Sequence, residues 1–180
     1  MIVAHYTSSL FRHDSWGKNF CNEDLPFLGE KNTKFAEARL GRTFLIRLED
    51  GESLHGTLEG FASEKDIESA AVMLLGGAES GSRLVVGPED PDASPIIPTE
   101  RTLNGVNEIT GVGTILRDEE GRPVLHMHVA AGRGHDTVAG CTRAGVDIWQ
   151  VAEVVVIELL GSGALRKFQE DTGFVLLDFD

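Results

Sequence analysis

A chain of 180 residues is long enough to bury one hydrophobic core without disulfides or metals to hold it together. Its 29 acidic and 16 basic side chains give a formal net charge of −13, which opposes binding to nucleic-acid phosphates. Although 41% of the residues are hydrophobic, no apolar run approaches the roughly 18 residues of a membrane-spanning helix. The composition predicts a soluble one-domain protein that does not enter membranes and does not bind DNA by itself.

The first residues and the cysteines bear on the cellular compartment. Met1 to Ala4 gives way at once to polar residues, so the basic start and apolar block of a secretory signal are not seen. Cys21 and Cys141 are too few for a disulfide framework and too far apart for a short thiol motif. We therefore expect reduced thiols and a cytoplasmic location.

Residues 1–33 show no sustained helical or strand period but contain several large apolar side chains. These are Tyr6, Phe11, Trp16, Phe20, Phe27 and Leu28. Two interpretations stay open. The segment is a loosely ordered leader, or it is an N-terminal arm that lays its aromatic side chains in a groove of its own or a neighbouring subunit.

The body of the chain, from Lys34, contains one convincing helix among many short β-type runs. Ser53 can cap a helix in which Leu54, Leu58 and Phe61 recur on one face. The strands that we predict lie at 44–48, 69–75, 82–86, 106–116, 124–131, 137–141, 145–160 (one bent strand or two) and 174–177. Residues 87–98 hold four prolines and are predicted to form an exposed loop. Many strands, hairpin-length turns and one helix predict an α+β fold, with a mainly antiparallel sheet and one principal helix packed on it.

The strand predicted at 124–131 presents two histidines on one face. With a period of two, His126 and His128 point to the same side, and their Cα atoms are roughly 6 to 7 Å apart. The other side is wholly apolar and is predicted to face the core, with Leu125, Met127, Val129 and Ala131. Two imidazoles at this spacing can converge on one metal ion.

A third metal ligand can come from the strand that follows. Cys141 lies on the strand predicted to return beside the histidines, and two nitrogens with one thiolate suit zinc or a similar divalent ion. His135 is a competing third ligand, although it falls in the turn between the strands. The alternative stays open that the histidines only form hydrogen bonds on a half-buried face and that Cys141 is an inert buried thiol.

Other classes of site fit the sequence less well. Cupins also carry His-x-His, but their pattern continues with a glutamate, and residues 129–136 contain none. Neither Gly111-Val-Gly113 nor Gly132-Arg-Gly134 completes a glycine-rich phosphate loop. No complete nucleophile or acid–base set is evident, so the sequence identifies no catalytic residues and no organic cofactor site.

Five separated segments together resemble one known family. They are Ser69-Ala-Ala-Val-Met-Leu-Leu-Gly-Gly77, Gly111-Val-Gly-Thr-Ile115, His126-Met-His128, Gly140-Cys-Thr-Arg-Ala-Gly145 and Ala152-Glu-Val-Val-Val-Ile-Glu-Leu159. In this order they resemble the plant-and-prokaryote conserved domain, PPC, which is found beside AT-hooks in plant proteins. The resemblance covers residues 34–162 and leaves residues 163–180 as a C-terminal extension, for which we predict one more strand.

The resemblance implies an α+β domain assembled as a homotrimer. Family members carry a His-x-His pair and a third histidine in a Gly-Gly-His segment, which together are thought to bind a metal. His126 and His128 match the pair, whereas Cys141 stands where the third histidine is usual. In plants the domain takes part in transcriptional regulation together with AT-hooks, and no hook occurs in this sequence.

Two functions follow from these observations, with a weaker third. The first is a homotrimeric metal-binding module with a regulatory or assembly role. The second is a metal-dependent enzyme that acts on a small molecule held at an open metal position. Direct DNA binding is the third, and the acidic charge disfavours it.

Overall fold

The computed structural model describes residues 33–93, 96–170 and 172–179. The arm predicted for the N-terminus therefore lies outside the described residues, apart from residue 33. The elements are β1 (Arg39–Glu49), α1 (Leu54–Glu64), β2 (Ser69–Ala78), β3 (Arg83–Val86), β4 (Thr99–Thr102), β5 (Asn107–Asp118), β6 (Pro123–Arg133), β7 (Asp136–Cys141), a short 3-10 helix (Thr142–Ala144), β8 (Ile148–Leu160), β9 (Ala164–Gln169) and β10 (Phe174–Phe179).

The strands form one sheet in the order β1-β8-β2-β5-β6-β7-β3-β4, and each neighbouring pair is antiparallel. Strands β9 and β10 form a C-terminal hairpin, and β9 also pairs with β5 in a short parallel stretch. In the described part of the chain, α1 is the one α-helix. The prediction of an α+β fold with a mainly antiparallel sheet and one helix is confirmed.

The helix begins where the sequence indicates, because the Ser53 side chain accepts a hydrogen bond from the Gly56 N–H at 3.4 Å. Its face with Leu54, Leu58 and Ala62 is fully buried. The core lies between this face and one face of the sheet, and its largest fully buried members from the sheet include Leu48, Val72, Ile115, Met127, Ile148 and Val156. No helix among the described residues is both long and apolar enough to cross a membrane.

Some elements differ from the sequence predictions. The stretch predicted at 145–160 contains one strand, β8, which starts at Ile148 and is irregular near Gln150, whose φ is +59°. Strand β4 was not predicted because its four residues are polar, yet it pairs with β3. The C-terminal extension contains two strands where the sequence indicated one, since β9 carries the charged pair Arg166-Lys167 and has no clear alternation.

Gly111 and Gly113 of β5 allow close packing against the neighbouring strand. A Cβ at Gly111 would lie 2.5 Å from the His128 carbonyl oxygen, and a Cβ at Gly113 would lie 2.5 Å from the His126 carbonyl oxygen. Real Cβ atoms do not approach backbone oxygens so closely. The two glycines therefore let β5 lie against the strand that carries the histidines.

The face of the sheet opposite α1, which we call the outer face, is apolar in its middle. Leu45 is 84% exposed, Val112 is 67% exposed and Leu75 is 57% exposed. Strand register places Leu45, Met73 and Val112 in one row across the sheet, through Val155, and the same row continues from Val112 to His128 on β6. The exposed apolar row thus leads directly to the histidine pair.

An ion pair between Arg42 and Glu158 joins β1 to β8. Arg42 donates two hydrogen bonds from its guanidinium to Glu158, at 2.8 Å and 2.6 Å, and its backbone N–H donates a third at 3.0 Å. These bonds from Arg42, opposed by burial, lower the pKa of Glu158 to about 2. The Glu158 side chain is only 9% exposed, so the carboxylate is held charged in a largely enclosed position.

Candidate metal site

The structure brings His126, His128 and Cys141 together on the outer face. The register of β6 and β7 sets Cys141 opposite His128, and His126 is one pleat away on the same side of β6. Each of the three offers a ligand atom within 4.8 Å of the others. His135, the competing third ligand, is exposed in the turn between β6 and β7 and is not part of this cluster.

The strand faces agree with the sequence prediction. Leu125, Met127, Val129 and Ala131 are all buried in the core. His126 is half-buried, His128 is exposed, and Cys141 is a free thiol with 3% exposure. The cluster therefore has its thiol at the buried end and an imidazole at the open end.

The donor set fits a zinc ion in type and spacing. Zinc binds imidazole nitrogen and thiolate at about 2.0 to 2.3 Å, which puts tetrahedral ligand atoms about 3.3 to 3.8 Å apart. The ligand atoms here lie within 4.8 Å of one another, so side-chain movements of about 1 Å bring them to that geometry. The two rings are nearly perpendicular, at 84°, with centroids 5.1 Å apart. Three protein ligands leave one tetrahedral position open, where a bound zinc would supply Lewis-acid chemistry.

The surroundings keep His126 uncharged near neutral pH. Burial is the main cause that lowers its pKa to about 4, and the guanidinium charges of Arg166 and Arg143 act in the same direction. A neutral imidazole keeps a lone pair for a metal, whereas a protonated one cannot coordinate. His126 is thus in the protonation state that a metal ligand requires.

Helix α1 fixes the histidine strand from the core side. The Leu125 N–H donates to the Glu59 carboxylate at 2.9 Å, just before His126. Burial opposes ionisation of Glu59, but the hydrogen bonds from His55 and Leu125 outweigh it and lower its pKa. The carboxylate therefore stays charged and keeps hold of the strand at neutral pH.

A second hydrogen bond holds Met127, the residue that follows His126. The Thr142 hydroxyl donates to the Met127 carbonyl oxygen at 3.2 Å, and it lies 2.9 Å from Nε2 of His55. Sequence reasoning missed His55 and Glu59 as positioning residues, although their i, i+4 spacing on a capped helix was visible.

A pocket of about 810 Å³ adjoins the cluster and is lined by all three of its residues. Two arginines also line it. Arg166 of β9 is 5% exposed, and its Nη2 donates to the Thr114 hydroxyl at 2.7 Å. Burial lowers the pKa of Arg166, partly offset by Cys141, but a guanidinium stays charged at neutral pH. Arg143 is exposed and lies 5.7 Å from the centroid of the Phe174 ring.

Sequence reasoning missed Arg166 as well. In the sequence it forms a basic pair with Lys167 in a short extension that carries no motif. Only the parallel pairing of β9 with the end of β5 brings it beside Thr114 and the cluster. No local signal predicts such a contact.

Comparisons with known proteins identify the family. Residues 35–160 match the Plants and Prokaryotes Conserved (PCC) domain, the family abbreviated PPC above. The chain is similar to the metal-containing protein of Archaeoglobus fulgidus, with 26% identity, a TM-score of 0.69 and coverage of 80% of this chain and 98% of that one. No curated protein matches the chain.

Two further solved structures share the fold. The plant- and prokaryote-conserved (PPC) protein of Pyrococcus horikoshii has 24% identity, a TM-score of 0.71 and coverage of 81% of this chain and 97% of that one. A candidate DNA-binding protein of Ralstonia eutropha has 20% identity, a TM-score of 0.61 and coverage of 76% and 90%. With the family match over most of its length, the chain belongs to the Plants and Prokaryotes Conserved domain family.

Proposed function

We propose that this protein is a homotrimeric zinc-binding module with a regulatory or assembly role. The observation that carries the metal proposal is the convergence of His126, His128 and Cys141 on the outer face. The Archaeoglobus fulgidus relative, which is called metal-containing, supports it. Zinc is the preferred ion because a thiolate with two imidazoles is a borderline-soft donor set, and a free thiol ligand is consistent with a reducing cytoplasm.

Metal content tests this proposal directly. Protein purified without an affinity tag should contain about one zinc per chain by elemental analysis, as one three-ligand cluster per chain allows. The double variant His126→Ala/His128→Ala should contain none. His135→Ala is the matched control, because it removes an exposed histidine outside the cluster. Absence of any metal from the wild type would remove the chemical basis of the proposal.

The homotrimer is supported by the outer face. Leu45, Met73 and Val112 line an apolar groove of about 510 Å³ between exposed strands. Monomeric proteins seldom expose contiguous apolar surface of this kind, and in a cyclic trimer a different surface of the next copy would cover it, because contacts around a threefold axis are heterologous. Light scattering coupled to gel filtration should give three times the chain mass. A monomeric mass at micromolar concentration would contradict the assembly.

A metal-dependent enzyme acting on a small molecule is the second candidate. The pocket beside the cluster favours it, because the open coordination position faces a cavity large enough for a small molecule. A zinc-bound crystal structure decides between an open and a closed site. A fourth protein ligand on the zinc would argue strongly against catalysis, whereas a small molecule bound to the zinc would support it.

We infer that the chain does not bind duplex DNA by itself. The Ralstonia eutropha neighbour is named for DNA binding, but its likeness concerns the fold. With a net charge of −13, this chain has no surplus of cations to replace the counterions of DNA. A gel-shift assay at physiological salt should show no complex, and a complex that weakens steeply with salt would overturn the inference.

A further inference from the structure

The pocket beside the metal cluster is positively charged in an acidic protein. The chain has 29 acidic residues, yet none of the described residues that line the pocket is Asp or Glu. Arg143 and Arg166 both line it, and a metal-bound Cys141 would supply one negative charge. With a divalent ion bound, the site would carry a clear excess of positive charge. An anion is therefore the ligand that this environment favours.

Arg166 is more than a general source of charge. It is 5% exposed, and its Nε has no hydrogen-bond partner among the described residues. No carboxylate of the described residues lies within 4.0 Å of its nitrogens, since it takes part in none of the ion pairs. A buried guanidinium with unused donors is costly unless something pairs with it. The planar fork of N–H groups suits an oxyanion.

The rest of the pocket wall is apolar. Strands β3, β6 and β10 contribute these side chains, which are Val85, Val86, Val124, Phe174, Val175 and Leu176. Water or an inorganic ion alone would gain nothing from this wall. A ligand with a hydrocarbon part would bury it there.

We propose that the pocket binds a small organic acid. Its anionic head group, a carboxylate or a phosphate ester, lies between Arg166 and the open position of the metal ion. Its apolar part lies against the wall that β3 and the C-terminal hairpin provide. This inference rests on the proposed metal site, and it gives the C-terminal hairpin a role in choosing the ligand.

Cobalt(II) provides a readout that separates metal binding from anion binding. Thiolate-bound cobalt absorbs in the near ultraviolet, and its visible bands respond to the ligand in the open position. Hexanoate is the probe, titrated into cobalt-loaded wild-type protein. Hexanamide removes the charge, acetate removes the apolar chain, and hexyl phosphate with inorganic phosphate tests the other head group.

Variants at position 166 measure the contribution of Arg166 to hexanoate binding. Arg166→Gln should bind cobalt normally but weaken hexanoate about tenfold to a hundredfold, as expected for loss of a charged hydrogen-bond donor. Arg166→Lys should retain part of the affinity. Arg47→Gln is the control, because it removes the same charge from an exposed site on β1, four strands away from β6.

The outcomes separate the two proposals. Hexanoate or hexyl phosphate binding that depends on Arg166 and exceeds that of acetate, hexanamide and inorganic phosphate supports the inference. Normal cobalt binding with no response to either acid, or with the same response in Arg166→Gln, overturns it and leaves the metal site intact. Equal binding of inorganic phosphate and hexyl phosphate overturns the role of the apolar wall. Failure of the wild type to bind cobalt overturns both proposals.

Discussion

Zinc should stabilise this protein through Cys141, and the size of the effect can be worked out. A ligand at a hundred times its dissociation constant stabilises the folded state by about 2.7 kcal/mol. For a domain of this length each 1 kcal/mol raises Tm by about 2 to 4 °C, so zinc should raise Tm by about 5 to 11 °C. Thermal unfolding followed by circular dichroism, in EDTA and in buffered zinc, measures this difference.

Cys141→Ser is the informative variant, because serine nearly matches the shape of cysteine but is a poor zinc ligand. A group that only supports a ligand is worth up to about a hundredfold in metal affinity, so loss of a ligand itself costs at least about that much. At the same free zinc, a hundredfold weaker site yields only about 0.4 kcal/mol, a shift of less than about 2 °C. In EDTA the variant should unfold close to the wild type.

His135→Ala is the matched control for this measurement. Its side chain is exposed in the β6–β7 turn and lies outside the cluster, so the full zinc shift should remain. The reasoning is refuted if Cys141→Ser keeps the full shift. Loss of the shift in His135→Ala would instead identify His135 as the third ligand.

Three other features of the structure lead to measurable effects. Arg42→Gln should lower the unfolding free energy at pH 7, because it removes the ion pair with Glu158. The folded pKa of Glu158 is about 2, below its usual 4.5, so this stabilisation is complete above pH 4.5 and disappears as the pH falls through 2. Urea unfolding at a series of pH values should show the unfolding free energies of the wild type and Arg42→Gln converging at low pH. Gly113→Ala should cost about 1 to 3 kcal/mol and weaken zinc binding, because its Cβ would force the His126 carbonyl away; an unchanged zinc titration would contradict this. Met73→Asp should give a folded monomer by light scattering, since it charges the apolar outer face, and an intact trimer would show that another surface carries the assembly.

The alternation of residues along β6 and the short turn after it were enough to predict that His126, His128 and Cys141 lie close together. In β6 a strict period of two separates the buried Met127 from the two histidines, and the following turn is short enough to bring Cys141 back beside them. Both features are local in sequence. The capped helix was predicted for the same reason, since the signals at Ser53 and Leu58 lie within two helical turns.

The features that the sequence did not reveal depend on distant contacts. Thr142 links helix α1 to β6 only because His55 lies across from it in the folded chain, 87 positions away. Arg166 lines the pocket because β9 pairs with β5, and its Nη2 bonds a residue 52 positions earlier. In the sequence, His55 and Arg166 cannot be distinguished from ordinary surface residues. Local periodicity therefore predicts which strands exist and which faces they bury, but not which strands supply the remaining polar groups of a site.

With zinc bound, the negative charge of Cys141 and the positive charge of Arg166 would offset each other. A histidine at the third ligand position, as is usual in the family, would add no charge to a bound zinc, whereas a thiolate adds one negative charge. Arg166 lies beyond the residues that match the family, and with zinc bound as proposed its positive charge would restore the total that three histidines and zinc would have. Burial lowers the pKa of Arg166, and Cys141 acts in the opposite direction. With zinc bound as proposed, cysteine in place of histidine would therefore leave the charge of the site unchanged and put one positive charge on a side chain that can form directional hydrogen bonds. Such a site would keep its attraction for anions and gain a means of selecting their shape.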